Sequence, residues 1–180
     1  MKFVLKRVVI TILVLSLLLI PVKAIFAQEQ GQDLGKKVPD FVFKNAQGKK
    51  GSIQFFRGKM PVVLIFWEST DPKCKEAIKS LEGTPAFTHQ YNKELKPDSV
   101  KFIAVNLAEE DFKVKAFIES NKLKIPVVVD PDVEISGLFN VGELPYILVI
   151  DKKGIVKYVH SGYKPGDEKT INNEVLKLNK

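Results

Sequence analysis

The apolar run PVVLIFW, residues 61 to 67, constrains the fold of this chain more than any other stretch. Its continuous β-branched and aromatic side chains predict a buried strand. A polar turn follows, and then Asp71-Pro72, which predicts a helix that begins at Pro72 with Asp71 as its N-cap. A buried strand that leads directly into a helix is typical of a domain in which helices pack on a sheet.

Predicted strands and helices alternate along the rest of the chain. Strands are expected in PDFVF, in its return NAQGKKGSI, in SVKFIAVNL, in IPVVVD and in the hairpin PYILVID-KKG-IVKYVH. Helices are expected after Pro72, at residues 84–95, in EEDFKVKAFIESNKL, briefly in VEISGLFN, and from Asp167 onward. This order predicts an α/β fold, a three-layer domain in which helices flank a central mixed β-sheet, with an N-terminal β extension.

The apolar spacing in two predicted helices indicates which faces should meet the sheet. In EEDFKVKAFIESNKL, Phe112 and residues 116–118 lie on or near one face. In the last helix, Ile171, Val175 and Leu178 are spaced at i, i+4 and i+7. Both helices are therefore expected to bury these side chains against the sheet.

The first 27 residues predict a secretory signal peptide. Their start is basic, residues 8–20 form an apolar run, and the small residue Ala27 marks the expected cleavage site. The run is short for a membrane span, which takes about 20 residues, but an uncleaved segment would anchor the protein to the membrane. We therefore expect an exported, periplasmic or otherwise extracytoplasmic protein with a signal peptide or anchor at 1–27, a linker at 28–37 and one domain at 38–180.

Charge and cysteine content exclude several kinds of protein. Loss of the four basic residues of the N-terminal segment lowers the formal net charge from +7 to about +3, which argues against a nucleic-acid partner. The single cysteine, Cys74, excludes an internal disulfide. His89 and His160 have no ligand-like neighbours, and no metal-ligand spacing or phosphate loop occurs. The sequence therefore indicates no metal and no cofactor.

Cys74 is expected in the first turn of the helix after the buried strand. With Ala77, Ile78 and Leu81 it is spaced at i, i+3, i+4 and i+7, which places it on the apolar stripe. A helix N-terminus lowers a thiol pKa but acts as only roughly half a positive charge. Asp71 opposes it with a full negative charge one turn away. The pattern favours a buried packing thiol, and an exposed reactive thiol is the alternative.

Two long segments carry a resemblance to a known family. VPDFVFKNAQGKKGSIQFFRGKMPVVLIFW has a P-D-F strand, a Gly turn and F-R-G-K before the buried strand. IPVVVDPDVEISGLFNVGELPYILVIDKKGIV contains the loop that supplies a cis-proline in the family, here Pro145. From about Val38 to Lys180 the chain resembles the exported TlpA/ResA-type thiol–disulfide oxidoreductases and the wider AhpC/TSA (peroxiredoxin) superfamily. The resemblance implies a thioredoxin-like fold and a thiol-dependent oxidoreductase, either a disulfide reductase or a peroxidase.

The chain departs from the active-site motif of the family it resembles. On the family pattern W-x-x-W-C-x-x-C, Trp67 matches the first tryptophan and Thr70 replaces the second. Asp71 replaces the first cysteine and Cys74 matches the second. The first cysteine attacks and the second resolves the mixed disulfide, so the resemblance implies that the dithiol cycle cannot run within this chain.

A peroxiredoxin alignment accounts for the same residues less completely. Some members carry Thr-Pro-Gly-Cys, and DPKC matches its proline and cysteine but has Asp71 in place of the threonine that orients the peroxide. A carboxylate cannot donate that hydrogen bond unless it is protonated. The family's arginine over the thiolate has no counterpart, because Arg57, the only arginine after the N-terminal segment, lies in the FFRGK turn.

Two functions therefore stay open from the sequence. The first is a redox-weak or non-catalytic module that holds an extended segment of another exported protein in a groove. The groove residues would be Trp67, Thr70, Asp71, Leu144 and Pro145. A cis bond at Pro145 would leave the backbone of Leu144 free to pair with that segment. The second function is a one-cysteine oxidoreductase or peroxiredoxin-like enzyme in which Cys74 reacts and a partner thiol resolves it. Structural roles compete with both, Asp71 as a helix cap and Trp67 as core packing.

Overall fold

The computed structural model describes residues 33–89 and 100–178. The predicted signal peptide and the second half of the predicted helix at 84–95 lie outside the described residues. The strands are β1 (Val42–Lys44), β2 (Lys50–Ser52), β3 (Val62–Trp67), β4 (Lys101–Leu107), β5 (Val127–Asp130), β6 (Tyr146–Ile150) and β7 (Val156–Ser161). The helices are α1 (Pro72–Glu82), α2 (Pro85–His89), α3 (Asp111–Asn121) and α4 (Asp167–Lys177), with 3₁₀ turns at Ile53–Phe56 and Ser136–Leu138. None of the helices in these two ranges is long and apolar enough to cross a membrane.

Five strands form one mixed sheet in the order β5-β4-β3-β6-β7. β3 runs parallel to β4 and antiparallel to β6, and β5 and β7 form the two edges. β1 and β2 pair antiparallel in a small sheet of their own. The central position of β3 explains why all six of its residues are buried. The expected α/β architecture, a central mixed sheet flanked by helices with an N-terminal β extension, is confirmed.

The sheet separates two apolar cores. Helices α1 to α4 pack on one face, where Leu81 and Val175 belong to the same buried cluster as Ile65. The opposite face is covered by the β1–β2 extension, the 3₁₀ turns and the loop before β6, and there Phe66 lies 5.1 Å from Phe139 between ring centroids. Neighbouring residues of β3 thus anchor different layers. Full burial of one such side chain stabilises the fold by about 1.5–3 kcal/mol.

The buried face of α3 differs from the one expected. Phe112 is 67% exposed, whereas Val114 is fully buried and Phe117 and Ile118 are half-buried. Phe112 precedes Val114 by two residues, about 200° around the helix, and therefore points to solvent. Ala116 is exposed as well. The spacing in α4 predicted its buried face correctly, since its two central apolar residues are fully buried.

The folded domain begins before the linker predicted at 28–37 would end. Gly35 donates a main-chain hydrogen bond to Val156 at 2.9 Å, beside the edge strand β7. Asp33 is buried, and its carboxylate accepts hydrogen bonds from the side chains of Asn140 at 2.8 Å and Tyr146 at 3.0 Å. Residues 33–37 are therefore attached to the domain at the loop that leads into β6.

Candidate functional site

The polar turn between β3 and α1 ends in the predicted helix cap. The Asp71 carboxylate accepts a hydrogen bond from the main-chain N–H of Lys73 at 2.8 Å, and Pro72 occupies the first helical position. This cap satisfies one of the four main-chain donors that a helix start leaves without a partner, and is worth about 1 kcal/mol. The cap and the helix start that Asp71-Pro72 predicted are both confirmed.

The thiol of Cys74 lies in the helix-side core. Cys74, Ala77, Ile78 and Leu81 are all fully buried, as the apolar stripe indicated. Burial is the largest cause that raises the pKa of the Cys74 thiol to about 12, and the negative charges of Asp71 and Glu68 add to it. A hydrogen bond with the backbone of Glu68 acts in the opposite direction but does not outweigh them. The thiol is thus protonated at neutral pH and out of contact with solvent.

Trp67 belongs to the core and forms no wall of an open groove. Its side chain is fully buried and packs on Phe117 of α3, with ring centroids 5.2 Å apart. Within the described part of the chain, the indole Nε1 has no hydrogen-bond partner. The expectation of a groove surface at Trp67 therefore does not match its position, because a residue at the end of a central strand is covered by the helices on that face.

A partly buried polar network holds the turn after β3 in place. Glu109 accepts hydrogen bonds from the N–H of Ser69 at 2.7 Å, from its hydroxyl at 2.5 Å and from the Asn106 amide at 2.5 Å. Ala108 just before it has a positive φ of 53°, which is uncommon for a residue with a side chain. Sequence reasoning missed this network, because Ser69 and Glu109 are forty residues apart in the chain. The one signal was Asn106, a polar residue inside a strand that is otherwise apolar.

The network makes stability depend on the ionisation of Glu109. Burial opposes the charged form, but the hydrogen bonds from Asn106 and Ser69 outweigh it and lower the pKa of Glu109 below its usual 4.5. A carboxyl with a lowered folded-state pKa stabilises the fold fully above its usual value and loses that contribution as the pH falls through the folded value.

We therefore expect Glu109→Gln to be less stable than the wild type near neutral pH, with a gap that shrinks below about pH 4. Denaturant unfolding of both proteins across the acid range measures the gap. Glu119→Gln, a change at an exposed position of α3, is the matched control and should show a constant offset. A gap for Glu109→Gln that stays the same down to about pH 3 would contradict this account.

The loop before β6 emerges beside the turn that precedes α1. Phe66 pairs with Tyr146 across the antiparallel strands β3 and β6, so residues 67–71 and 143–145 leave the sheet at the same end of these two strands. An ion pair between Lys73 Nζ and Glu143 Oε1, 3.0 Å long, links the two segments. The ion pair is half exposed on both sides and contributes little to stability, but it shows that α1 and this loop face each other.

The loop itself leaves main-chain groups available. The Leu144–Pro145 peptide bond is cis, Pro145 is buried, and Leu144 is half-buried between the two cores. In the described ranges, no main-chain hydrogen bond engages the N–H or C=O of Leu144. Thr70 is exposed and Asp71 half-buried at the facing turn. The structure thus brings four of the six predicted site residues together at this end of the sheet: Thr70, Asp71, Leu144 and Pro145. It places Trp67 and Cys74 in the core beneath them.

The remaining candidate residues lie elsewhere. Arg57 forms an ion pair with Asp40 and donates to the Val38 carbonyl, so it holds the N-terminal extension and not the thiol. His160 is half-buried and lies 3.0 Å from a carboxylate oxygen of Asp167. Among the residues that the structure describes, no group of three or more histidine, cysteine or acidic side chains could hold a metal ion.

Comparisons with known proteins agree with this architecture. The model of the AhpC/TSA family matches residues 34–159. The thiol-disulfide oxidoreductase ResA of Bacillus anthracis is 36% identical over 131 residues, which span 73% of this chain and 71% of that protein. A thiol:disulfide interchange protein of the thioredoxin family from Chlorobium tepidum has a TM-score of 0.66 at 19% identity and covers 81% of this chain and 97% of its own. The exposed lipoprotein thioredoxin of Streptococcus pneumoniae strain TIGR4 has a TM-score of 0.62 at 23% identity and covers 78% and 100%.

The two solved structures support the fold, and the family model and the ResA relative support the family. The matched region includes β3, the turn with Asp71, Cys74 and the Pro145 loop, so the family assignment covers the whole candidate site. The chain belongs to the AhpC/TSA family and is a TlpA/ResA-type protein with a thioredoxin-like fold.

Proposed function

We propose that this protein is an exported, redox-weak or non-catalytic thioredoxin-like module that holds an extended segment of another exported protein. The observation that carries the proposal is the state of its one cysteine. Cys74 is fully buried with its pKa raised to about 12, and Asp71 occupies the helix N-cap where the family motif has the attacking cysteine.

Dithiol exchange needs two sulfurs in one site. The first thiolate attacks a disulfide of the substrate and forms a mixed disulfide, and the second thiolate attacks the first sulfur and releases the reduced substrate. In this chain the first position carries a carboxylate that caps the helix and cannot form a sulfur–sulfur bond. The fold of a thiol–disulfide oxidoreductase is therefore retained without the group that starts its reaction.

Peptide binding at such a site has more support in this chain than dithiol chemistry. The N–H and C=O of Leu144 are the groups that an extended peptide would pair with. Thr70 is exposed across from them, and the Lys73–Glu143 ion pair marks one end of the intervening surface. An extended segment could lie across this end of the sheet, with its main chain hydrogen-bonded to Leu144.

The proposed location outside the cytoplasm rests on the N-terminal pattern. Residues 1–27 have the basic start, apolar middle and small end of a secretory signal. The fold relative from Streptococcus pneumoniae is described as an exposed lipoprotein, and export of this chain would place its partner among exported proteins as well. The membrane is a partner only if that N-terminal segment is retained.

One observation favours an alternative, a one-cysteine oxidoreductase or peroxiredoxin-like enzyme. The ResA relative is named a thiol-disulfide oxidoreductase, and the one sulfur that this chain retains is Cys74. In that function Cys74 would react with a peroxide or a mixed disulfide, and a partner thiol would complete the cycle. The burial of the thiol and the distant position of Arg57 weigh against it.

Site-specific photocrosslinking distinguishes the two functions. A photoreactive residue at Thr70 of the full chain should form adducts with exported proteins, whereas one at Lys153, exposed in the turn between β6 and β7, should not. The Thr70 adducts should persist in Cys74→Ser and fall at least about tenfold in Leu144→Pro, which removes the pairing N–H. Equal yields from Thr70 and Lys153 would sink the binding proposal. Adducts that disappear in Cys74→Ser would support the enzyme instead.

A further inference from the structure

A cavity of about 380 Å³ lies between the N-terminal β extension and the loop that follows β5. Its volume is within the range of sites that bind small molecules or side chains. Its walls are formed by Asp40, Phe41, Val42, Ser52, Gln54, Glu134 and Ile135. None of these residues belongs to the end of the sheet around Asp71 and Leu144, so the cavity is separate from the candidate site.

One wall of the cavity is the outer edge of β1. Phe41 accepts a hydrogen bond from the N–H of Ile53, and Asn45 donates one to Lys49, so the residues that face β2 are Phe41, Phe43 and Asn45. In an antiparallel pair the alternate residues point their N–H and C=O groups to the opposite side. Val42 therefore directs its main-chain groups away from β2, and its side chain is 79% exposed.

The same outer edge is paired further along the chain. Ala46 donates a main-chain hydrogen bond to Val127 of β5 at 2.8 Å, and Asn45 bridges to Val128. The extension and the main sheet are thus joined at this end and separate towards Val42, which opens the cavity between them. An outer strand edge that ends in an open gap is a template for one more extended segment.

The facing wall is a rigid, strained turn. Asp130 is buried, and its carboxylate accepts hydrogen bonds from the N–H of Ile135 at 3.1 Å and of Ser136 at 2.8 Å. Between them Val133 has a φ of 58°, and a β-branched residue in this region is a genuine outlier. Such strain persists only where surrounding contacts enforce it, and it is concentrated at binding and functional sites.

The charge and polarity of the two walls define what could fill the gap. Phe41 and Ile135 form an apolar floor, each less than a tenth exposed. Glu134 is exposed at the rim, and within the described ranges no ion pair or hydrogen bond engages its carboxylate. Asp40, also at the rim, is paired with Arg57. The cavity therefore combines an apolar floor, one unpaired carboxylate at its rim and a free strand edge.

We propose that this cavity binds an extended segment of a partner protein that carries a lysine or arginine next to an apolar residue. The main chain of the segment would hydrogen-bond to Val42, as an additional strand on β1. Its apolar side chain would pack on Phe41 and Ile135, and its basic side chain would approach Glu134. Charge complementarity favours this occupant over a second copy of the chain, because pairing the β1 edges of two copies would bring their Glu134 carboxylates towards each other.

Peptide selection on the full-length protein tests the proposal. Random twelve-residue peptides displayed on phage are selected, and the enriched peptides are synthesised with a fluorophore and titrated by anisotropy. We expect enrichment of lysine or arginine beside apolar residues. Binding should weaken at least about tenfold in Glu134→Lys, because the rim charge is reversed, and in Val42→Pro, because the pairing N–H is lost.

A matched control isolates the cavity from the rest of the surface. Glu119→Lys makes the same charge change at an exposed position of α3 and should leave the affinity unchanged. Val42→Pro is expected to fold, because its N–H points away from β2 and proline is tolerated on a strand edge. Selection without basic residues, no selected peptide at all, or equal binding by Glu134→Lys and Glu119→Lys would overturn the proposal. A photoreactive residue at position 134 that crosslinks to the chain's own N-terminal residues would overturn it as well.

Discussion

At pH 7, the native protein should react with N-ethylmaleimide at least about a hundredfold more slowly than the same chain unfolded in guanidinium. The reactive species is the thiolate, and the pKa of the Cys74 thiol is raised to about 12. The ordinary pKa of a thiol on the same scale is 9.0, so the thiolate fraction falls about a thousandfold in the native state.

Two further effects act on this rate in opposite directions. A thiolate of higher pKa is the stronger nucleophile, which restores roughly thirtyfold of the loss when the Brønsted slope is about 0.4–0.5. Burial then lowers the rate again, because the reagent reaches Cys74 only when the start of α1 opens. The loss of thiolate and its higher nucleophilicity together leave a suppression of about thirtyfold, and burial of the thiol is expected to raise it above about a hundredfold.

A neighbouring position provides the matched control for this measurement. Lys75 follows Cys74 in the same turn of α1 but is exposed. In a protein with Lys75→Cys and Cys74→Ser, the native labelling rate should approach that of a free thiol. Native wild-type labelling within tenfold of the unfolded rate would show an accessible thiolate, and would favour the one-cysteine enzyme over the binding module.

The parts of the site that sequence predicted correctly depend on local spacing. Asp71-Pro72 specifies a helix start through a cap and a missing N–H, and both act within three residues. The burial of Cys74 followed from its place on the stripe with Ala77, Ile78 and Leu81. The order of strands and helices was sufficient for the mixed sheet, because the chirality and length of each connection leave few arrangements.

The parts that sequence did not predict depend on contacts between distant segments. Ser69 and Glu109 meet only because β3 and β4 end side by side, and neither residue carries a local signal for the other. Trp67 had two interpretations, and the choice depended on α3, which supplies Phe117 as its cover. Phe112 was assigned to the wrong face because an apolar residue near a helix start satisfies a loose pattern without facing the core.

Asp71→Cys should convert this protein into a disulfide reductase. The new thiol would lie at the N-terminus of α1, where the helix dipole lowers a thiol pKa, and Cys74 would follow three residues later as the resolving sulfur. The change also removes the carboxylate that contributes to the raised pKa of Cys74. The two thiols of the variant would transfer two electrons to an insulin disulfide and become a disulfide themselves. Dithiothreitol would then reduce this disulfide and complete the cycle. We expect insulin reduction at least about tenfold above the dithiothreitol background, and wild-type protein at that background.

Two companion variants separate chemistry from stability in this experiment. Asp71→Ser retains a helix-capping oxygen without a thiol and should stay at the background, whereas Asp71→Cys is expected to lose about 1 kcal/mol of the cap. Asp71→Cys with Cys74→Ser has an attacking thiol but no resolving one, so it should accumulate mixed disulfides that gels detect. A folded Asp71→Cys protein that is no faster than Asp71→Ser would mean that more than one sulfur separates this chain from its redox relatives. Gain of reductase activity would instead show that Asp71 alone keeps an otherwise competent site from redox chemistry.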